Sequence, residues 1–304
     1  VDDGQQDGRR LIRIDTTAPA ADSETWTSPG AVDDAAAGYA SNADGVFFSI
    51  VDRGVGEPDA LMRSEGGLFG ALRAPNGGFD TISVTGSDLG ADASIQAPSV
   101  RTIDVAGSIL GFTDSAGGAH AASINVDALT DLLIGGHVLD GATIETRTLG
   151  GASIGGDFAG QLSNASFVNA QLPIDIGGDL GGSLDLFAAR ATIGVGGSIV
   201  DGGSISLDGD LDDLTVGQAL AGHVVVDGGA VAIAADALDG AVLVVGFDID
   251  SLSVADAIAD SVIQVGQSAG EDGVFGTGDS AEITRRGALE IGRASCRERV
   301  YTKV

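Results

Sequence analysis

Apolar residues alternate with other residues in short segments through the middle of the chain, and each segment returns after about 20 residues. Between residues 172 and 267, a unit contains an apolar pair spaced by two, a single apolar residue four positions later, and a second alternating pair. In one unit these positions are Ile193, Val195, Ile199, Ile205 and Leu207. Spacing of two places both side chains on one face of a β-strand, and the fixed return indicates a repeat architecture. The pattern therefore predicts a solenoid of β-strands.

The first apolar pair of the unit marks the successive coils. It occurs as Ile82/Val84, Ile103/Val105, Leu132/Ile134, Ala152/Ile154, Ile174/Ile176, Ile193/Val195, Leu214/Val216, Val231/Ile233 and Leu252/Val254. The predicted fold is all-β, a single-stranded parallel β-helix of about nine coils of roughly 20 residues each. The long step between Val105 and Ile134 predicts a loop at residues 112–121. The short step after Val216 predicts a bulge near Ala234 and Ala235.

The repeat divides the chain into four predicted regions. Residues 79–267 form the β-helix, and residues 1–78 form an irregular N-terminal cap or the end of a preceding β-repeat domain. Residues 268–284 form a closing loop rich in Gly and Asp. Residues 285–304 concentrate basic side chains, and the string GRASCRERV resembles a translated sequencing adapter. We therefore interpret the last region as a non-native tail.

Composition agrees with narrow, stacked coils. The chain is 43% apolar but only 4% aromatic, and it contains 49 glycines. Glycine recurs two residues after the first pair, at Gly107, Gly136, Gly156, Gly178 and Gly197. A position held by glycine in stacked coils either needs a positive φ or leaves no room for a side chain.

Net charge restricts the partners. With 15 basic and 44 acidic residues, the formal net charge is −29, which repels nucleic acid and anionic membranes and favours cations. No apolar run approaches the 18 or so residues that a membrane span requires. We therefore expect neither nucleic-acid binding nor a membrane span, and the partner is an unknown ligand, a surface or a neighbouring domain.

The coil pattern resembles the parallel β-helix proteins of bacteria, namely autotransporter passengers, filamentous adhesins and the pectate-lyase-like superfamily. The resemblance covers residues 79–267 and implies a right-handed coil and an extracellular or cell-surface location. It implies a non-catalytic structural or adhesive segment of a larger protein. The alternative within the same resemblance is a polysaccharide lyase or a glycoside hydrolase of the pectate-lyase-like kind.

An enzyme of this kind would need acidic and basic side chains gathered from neighbouring coils. The coils contain no Lys and only Arg101, Arg147 and Arg190, which lie in different coils. Asp157 and Asp179 occupy equivalent positions in adjacent coils, and paired carboxylates can act as acid and base. A solvated acidic corner explains the same two residues, and we favour it.

The three histidines, His120, His137 and His223, have no metal-ligand spacing. No Ser-His-Asp arrangement is evident either. No catalytic residue is therefore predicted, and the expected protein is not an enzyme.

The sequence predicts no certain cofactor, and calcium is the best candidate. The segment GEDGVFGTGDSAE places Asp272, Asp279 and Glu282 in a glycine-rich loop, and their carboxylates are the hard oxygen ligands that calcium favours. The segment resembles the acidic loops of large secreted bacterial repeat proteins, although it lacks the residue order of an EF-hand. The alternative interpretation is a plain turn that closes the last coil.

Removal of calcium tests this site. We expect the thermal midpoint of unfolding, followed by far-UV circular dichroism, to rise in millimolar calcium and to fall back with excess chelator, because calcium would bind only the folded loop. The double change Asp272→Asn and Asp279→Asn should abolish the rise. A β-rich melt that is indifferent to calcium would contradict the site.

Overall fold

In a computed structural model of the chain, the described backbone comprises residues 2–6, 9–14, 41–42, 45–51, 60–64, 68–73, 78–84, 88–91, 93–113, 119–266, 289–292, 295–296 and 301–303. Side chains are described within residues 68–266, with gaps. The described residues form strands and turns and contain no helix. The chain divides into two compact units, residues 1–165 and residues 166–304.

Thirteen strands lie in the first unit. They are β1 (Asp2–Gln6), β2 (Arg9–Ile14), β3 (Ser41–Asn42), β4 (Gly45–Val51), β5 (Ala60–Ser64), β6 (Leu68–Arg73), β7 (Gly78–Val84), β8 (Ser94–Val105), β9 (Gly111–Thr113), β10 (Ala119–Ala121), β11 (Ser123–Ile134), β12 (Thr143–Ile154) and β13 (Gln161–Asn164).

Twelve strands lie in the second unit. They are β14 (Val168–Ile176), β15 (Ser183–Val195), β16 (Ser204–Leu220), β17 (His223–Val226), β18 (Ala230–Asp239), β19 (Val242–Val245), β20 (Ile249–Val254), β21 (Ala257–Ala259), β22 (Val262–Val265), β23 (Leu289–Gly292), β24 (Ser295–Cys296) and β25 (Tyr301–Lys303).

Equivalent residues of successive coils stack in parallel register. In the first unit, Leu132 of β11 pairs with Ile103 of β8 and with Ala152 of β12. In the second unit one stack runs through five coils, as Leu184, Ile205, Val224, Leu243 and Ile263. The predicted fold is therefore confirmed as an all-β parallel β-solenoid of about nine turns. The right-handed sense stays a prediction.

Each coil has three faces joined by three corners. In the coil of β16, the first face is 204–207, the second is 211–216 and the third is 220–221. The first corner is 208–210, the second is 217–219 and the third is residue 222. The coils that begin at Ser183, His223 and Val242 follow the same plan, so the register of a residue gives its corner or face.

The core is a set of apolar columns that run along the stack. In the coil of β16, the inward side chains are nearly all fully buried: Ile205, Leu207, Leu211, Leu214, Val216 and Leu220. Burial of one such aliphatic side chain contributes roughly 1.5–3 kcal/mol relative to its exposure. Since each inward side chain lies against its equivalents in the coils on either side, the columns hold successive coils together.

Close stacking explains the glycines of the second corner. A Cβ at Gly156 would lie 2.6 Å from Nδ1 of His137, and a Cβ at Gly197 would lie 2.9 Å from the carbonyl carbon of Gly178. Neither glycine has a positive φ. The lack of room between successive coils, and not an unusual backbone conformation, therefore requires glycine at these two positions.

In the coil of β18, the predicted inward pair, Val231 and Ile233, was wrong. The inward pair is Ile233 and Ala235, two residues further along the chain for each member. Ile233 pairs with Leu214 and Ala235 pairs with Val216, whereas Val231 is 48% exposed. The register shift lies after Val216, where two residues of β16 oppose one residue of β18. The predicted register shift near Ala234 and Ala235 is therefore confirmed beside Ala235, and its extra residue lies on β16, at the second corner of the preceding coil.

The insertion at 112–121 begins and ends as a hairpin. β9 and β10 pair antiparallel, with His120 opposite Phe112. The hairpin leaves the coil after the third face, where Ile109 bridges to Val138. Residues 114–118, at its tip, lie outside the described residues.

Parallel pairing also occurs outside residues 79–267. On the N-terminal side, β2 pairs with β5, β5 with β7, and β4 with β6. On the C-terminal side, β20, β21 and β22 pair with β23, β24 and β25. The division into a cap, a closing loop and a non-native tail stays a prediction.

The register of the coil of β18 is testable with two alanine substitutions. Ile233→Ala should lower the free energy of unfolding by about 2–5 kcal/mol, because it removes a fully buried side chain from a column. Val231→Ala should change it by no more than about 0.5 kcal/mol, because Val231 faces solvent. Chemical denaturation of both variants measures the two values. Equal losses would place both side chains in the core and contradict the register.

Candidate functional site

The predicted calcium ligands Asp272, Asp279 and Glu282 lie outside the described residues. The calcium site therefore stays a prediction. Within the part of the chain whose side chains are described, no group of three or more His, Cys, Asp or Glu side chains could hold a metal ion.

The three histidines lie in different parts of the coils. His120 belongs to the hairpin strand β10, His137 lies at a second corner, and His223 is the first residue of β17. The prediction that they are scattered agrees with these positions.

The second corner carries a chain of side-chain hydrogen bonds. In the first unit, the Oδ1 atom of Asp88 accepts from the Ser108 N–H at 2.6 Å, and Oγ of Ser108 accepts from the His137 N–H at 3.0 Å. Nδ1 of His137 then accepts from the Asp157 N–H at 2.9 Å. In the second unit, Oδ1 of Asp179 accepts from the Ser198 N–H at 2.7 Å. We call this arrangement the corner ladder. It uses Asp, Ser and His for one purpose, which is to accept a backbone hydrogen bond from the next coil.

The corner ladder explains the residues that sequence reasoning considered as an acid–base pair. Asp157 and Asp179 both lie at second corners, where Asp179 accepts through its carboxylate and Asp157 donates its backbone N–H to His137. Arg147, by contrast, lies at a first corner of the first unit, and Arg190, which pairs with Asp210, lies at a first corner of the second unit. Within each unit, therefore, the aspartate and the arginine lie at different corners of the coil.

A groove of about 560 Å³ lies on the second unit, where the first corner meets the second face. Three consecutive coils supply its outward residues: Asp210 and Asp212, then Gly229 and Val231, then Asp248 and Asp250. Arg190 lies at one end and Phe247 contributes an exposed ring. Four carboxylates and one guanidinium thus surround a short apolar floor, and we call this feature the acidic groove.

Arg190 is held in place at the end of the acidic groove. Its Nε donates to Oδ1 of Asp212 at 2.7 Å, and its terminal nitrogen lies 2.6 Å from the same oxygen. The Nε2 atom of Gln171 donates to Oδ2 of Asp212 at 3.2 Å. Asp212 is the extra residue of a β-bulge between β15 and β16, since Ala191 pairs with Leu211 and Thr192 pairs with Asp213. A bulge re-aims a side chain, and here it places Asp212 against Arg190.

A second pair of carboxylates lies at the neighbouring first corners. Asp208 and Asp227 are equivalent residues of adjacent coils. Partial burial and, to a smaller extent, the negative charge of Asp208 raise the pKa of Asp227. The repulsion is built into the stack, because parallel register places equal residues beside one another.

No protein-family model, curated protein or solved structure matches the chain. Its function must therefore be argued from its own residues. The described residues contain no helix that is long and apolar enough to cross a membrane.

Sequence reasoning did not identify the acidic groove, although a signal was present. The strings DLD at 210–212 and DID at 248–250 occupy the same register on either side of GAV at 229–231. Alignment of the coils by register would have shown that the two acidic strings lie in the coils on either side of the uncharged string GAV.

The raised pKa of Asp227 predicts a pH dependence of stability. A carboxyl whose pKa is raised on folding is destabilising when ionised, so the free energy of unfolding falls as pH rises through the interval between the unfolded and folded pKa values. Asp227→Asn should therefore stabilise the protein at pH 7, by no more than about 1 kcal/mol because solvent screens the exposed part of the carboxylate. Asp239→Asn, at an exposed aspartate on the third face, is the matched control. Denaturation at pH 7 and at mildly acidic pH measures both effects. An equal gain in the two variants would assign the effect to net charge alone.

Proposed function

We propose that the chain is a non-catalytic structural or adhesive β-solenoid segment of a larger secreted or cell-surface protein of bacteria. The observation that carries this proposal is the corner ladder. The polar side chains of the corner ladder accept hydrogen bonds from the backbone of the next coil. Their role in holding coils together supports a scaffold.

The stacked columns support the same proposal. Each coil buries its apolar residues against the coils next to it, so stiffness comes from continuous contact along each unit. A net charge of −29 favours solubility and works against self-association through the outward faces. Both properties suit a spacer or a presenting surface outside the cell. The extracellular location belongs to this proposal and derives from the resemblance to bacterial β-helix proteins.

The alternative function is a polysaccharide lyase or glycoside hydrolase, and the acidic groove is the observation that favours it. Arg190 and several aspartates from neighbouring coils meet there. The pairing of Arg190 with Asp212 weighs against this alternative, because a guanidinium held by a carboxylate is less available to a sugar acid.

Removal of one coil tests the scaffold. Deletion of residues 204–222 joins two coils in register, since Ser204 is equivalent to His223. We expect the shortened chain to keep a β-rich circular dichroism spectrum and a cooperative melt, because the columns remain continuous. Deletion of residues 204–213 alone is the control, and it should abolish the cooperative melt because half a coil cannot restore the register.

The enzyme alternative is tested with the full chain on neutral and acidic polysaccharides, by measurement of released reducing ends. We expect no release. Release that is lost in Arg190→Ala, with the variant still folded by circular dichroism, would replace the proposal with the alternative.

A further inference from the structure

Two residues protrude from the stack at a third corner of the second unit. In the coil of β15, residues 200–203 cross this corner, whereas only two residues cross it in the next coil. Asp201 and Gly202 are the extra pair, and they have no equivalents in that coil. They form the centre of a turn, because the Gly203 N–H donates to the Val200 carbonyl oxygen at 2.9 Å. Both residues of the pair are exposed, and Gly202 has a φ of 90°.

The same feature occurs at a third corner of the first unit. Residues 139–142 cross this corner in the coil of β11, whereas only two residues cross it in the coil of β12. The extra pair is Asp140 and Gly141, and both residues are exposed. The Ala142 N–H donates to the Leu139 carbonyl oxygen at 3.2 Å and closes the turn around them. Each unit thus carries an exposed Asp–Gly pair that stands outside the stack.

A third Asp–Gly pair differs from these two in the hydrogen bonding of its glycine. Asp239 and Gly240 are also exposed at a third corner, and Gly240 has a φ of 75°. The next coil crosses that corner with an equal number of residues, and the Gly240 N–H donates to the Ala259 carbonyl oxygen at 3.0 Å. Within the described residues, the N–H groups of Gly141 and Gly202 donate no hydrogen bond. A stacked neighbour therefore supplies an acceptor to the third pair only.

The local sequence does not distinguish protruding pairs from stacked pairs. The string LDGA occurs at 139–142, where the pair protrudes, and again at 238–241, where it is stacked. The string VDGG occurs at 200–203, where the pair protrudes, and again at 226–229. In this last string the Gly228 N–H donates to the Gly209 carbonyl oxygen of the preceding coil at 3.0 Å. Any difference in reactivity within each set therefore comes from the fold.

An Asp–Gly pair can rearrange without an enzyme. The glycine nitrogen loses its proton and attacks Cγ of the aspartate, and a carboxyl oxygen leaves as water, so that a cyclic imide forms. Water then adds to one imide carbonyl and breaks the bond of that carbonyl to nitrogen. Breakage at the β carbonyl restores aspartate, and breakage at the α carbonyl leaves the chain running through the β carboxyl, as isoaspartate. One water is released and one is consumed.

Two properties of the pair set the rate of the first step. Glycine favours it because no side chain crowds the attacking nitrogen. A hydrogen bond donated by that nitrogen opposes it, because the bond holds the proton that must leave. In the two protruding turns the first property is present and the opposing hydrogen bond is not found.

Asp227 separates the effect of hydrogen bonding from that of carboxyl chemistry. Partial burial and, to a smaller extent, the charge of Asp208 raise the pKa of Asp227, so more of its carboxyl stays protonated. A protonated carboxyl is the better electrophile, because its hydroxyl can leave as water. Carboxyl chemistry alone therefore ranks Asp227 as the most reactive of the four aspartates, whereas the hydrogen bond of the Gly228 N–H ranks it among the least reactive.

From these contacts we propose that Asp140 and Asp201 form isoaspartate spontaneously, and that stacking protects Asp227 and Asp239. Each reactive pair lies outside the apolar columns, so the added backbone carbon lengthens a turn and leaves the coils in register. The modification is independent of the proposed scaffold function, since neither pair contributes to the columns or to the corner ladder.

Incubation of the full chain in heavy-oxygen water at mildly acidic pH tests the proposal, because each opening of the imide adds one heavy oxygen to that aspartate. Digestion in ordinary water and fragmentation of the peptides in a mass spectrometer locate the label. Asp140 and Asp201 should take up label at least about tenfold faster than Asp239 and Asp227, because the last two require local opening of a hydrogen bond. Uptake led by Asp227, uniform uptake, or no uptake at Asp140 and Asp201 would each overturn the proposal.

The unfolded chain is the first control. In guanidinium chloride, the two aspartates of each identical string should take up label at similar rates, because no stacked neighbour remains. If the order of the folded chain persisted in denaturant, more distant sequence and not stacking would set the reactivity.

A matched pair of variants is the second control. Asp201→Glu should remove the label from its turn, because the longer side chain cannot close the same ring, and it should leave the label at Asp140 unchanged. Asp227→Glu makes the same change in the stacked copy of the string and should leave the label at Asp201 unchanged. Circular dichroism of both variants establishes that they are folded. Loss of label at Asp201 in folded Asp227→Glu would contradict the independence of the two sites.

Discussion

The structure depends on one constraint, which is that each residue stacks on the equivalent residues of the neighbouring coils. Parallel register at about 4.8 Å places every residue beside its own equivalents in the neighbouring coils, so each position along the coil must suit a column of similar residues. Inward positions solve this with aliphatic side chains such as Leu214 and Ile233, which pack on one another. Second corners solve it with glycine, because no side chain fits between successive turns.

The same constraint governs charge. A column of aspartates would place carboxylates side by side, and the acidic groove avoids this because Gly229 and Val231 interrupt the two acidic columns. Asp80, which is buried, is balanced by Arg101 of the next coil at 2.7 Å. Asp208 and Asp227 are an exception, and the raised pKa of Asp227 records the cost. The chain therefore limits repulsion between neighbouring carboxylates by interrupting acidic columns, as at Gly229 and Val231, or by pairing an acid with a base, as at Asp80 and Arg101.

Sequence alone predicted the solenoid because two-residue alternation and a return of about 20 residues are visible without coordinates. It failed at the coil of β18, where Val231, Ile233 and Ala235 all satisfy the alternation, and only the pairing of Ile233 with Leu214 decides between them. The corner ladder was not predictable from residue type, because Asp88, Ser108 and His137 share little except an atom that accepts a hydrogen bond. The acidic groove required the register first, since its two acidic strings are far apart in sequence.

The corner ladder also gives each unit a direction. Every side chain in it accepts from the coil that follows in sequence, as Asp88 does from Ser108 and Asp179 does from Ser198. One edge of a coil therefore offers a corner N–H, and the opposite edge offers a corner side-chain acceptor. Two such coil edges are complementary when copies meet head to tail and mismatched when they meet head to head. A head-to-tail contact between two such edges can repeat without closing, whereas a two-fold contact brings like edges together.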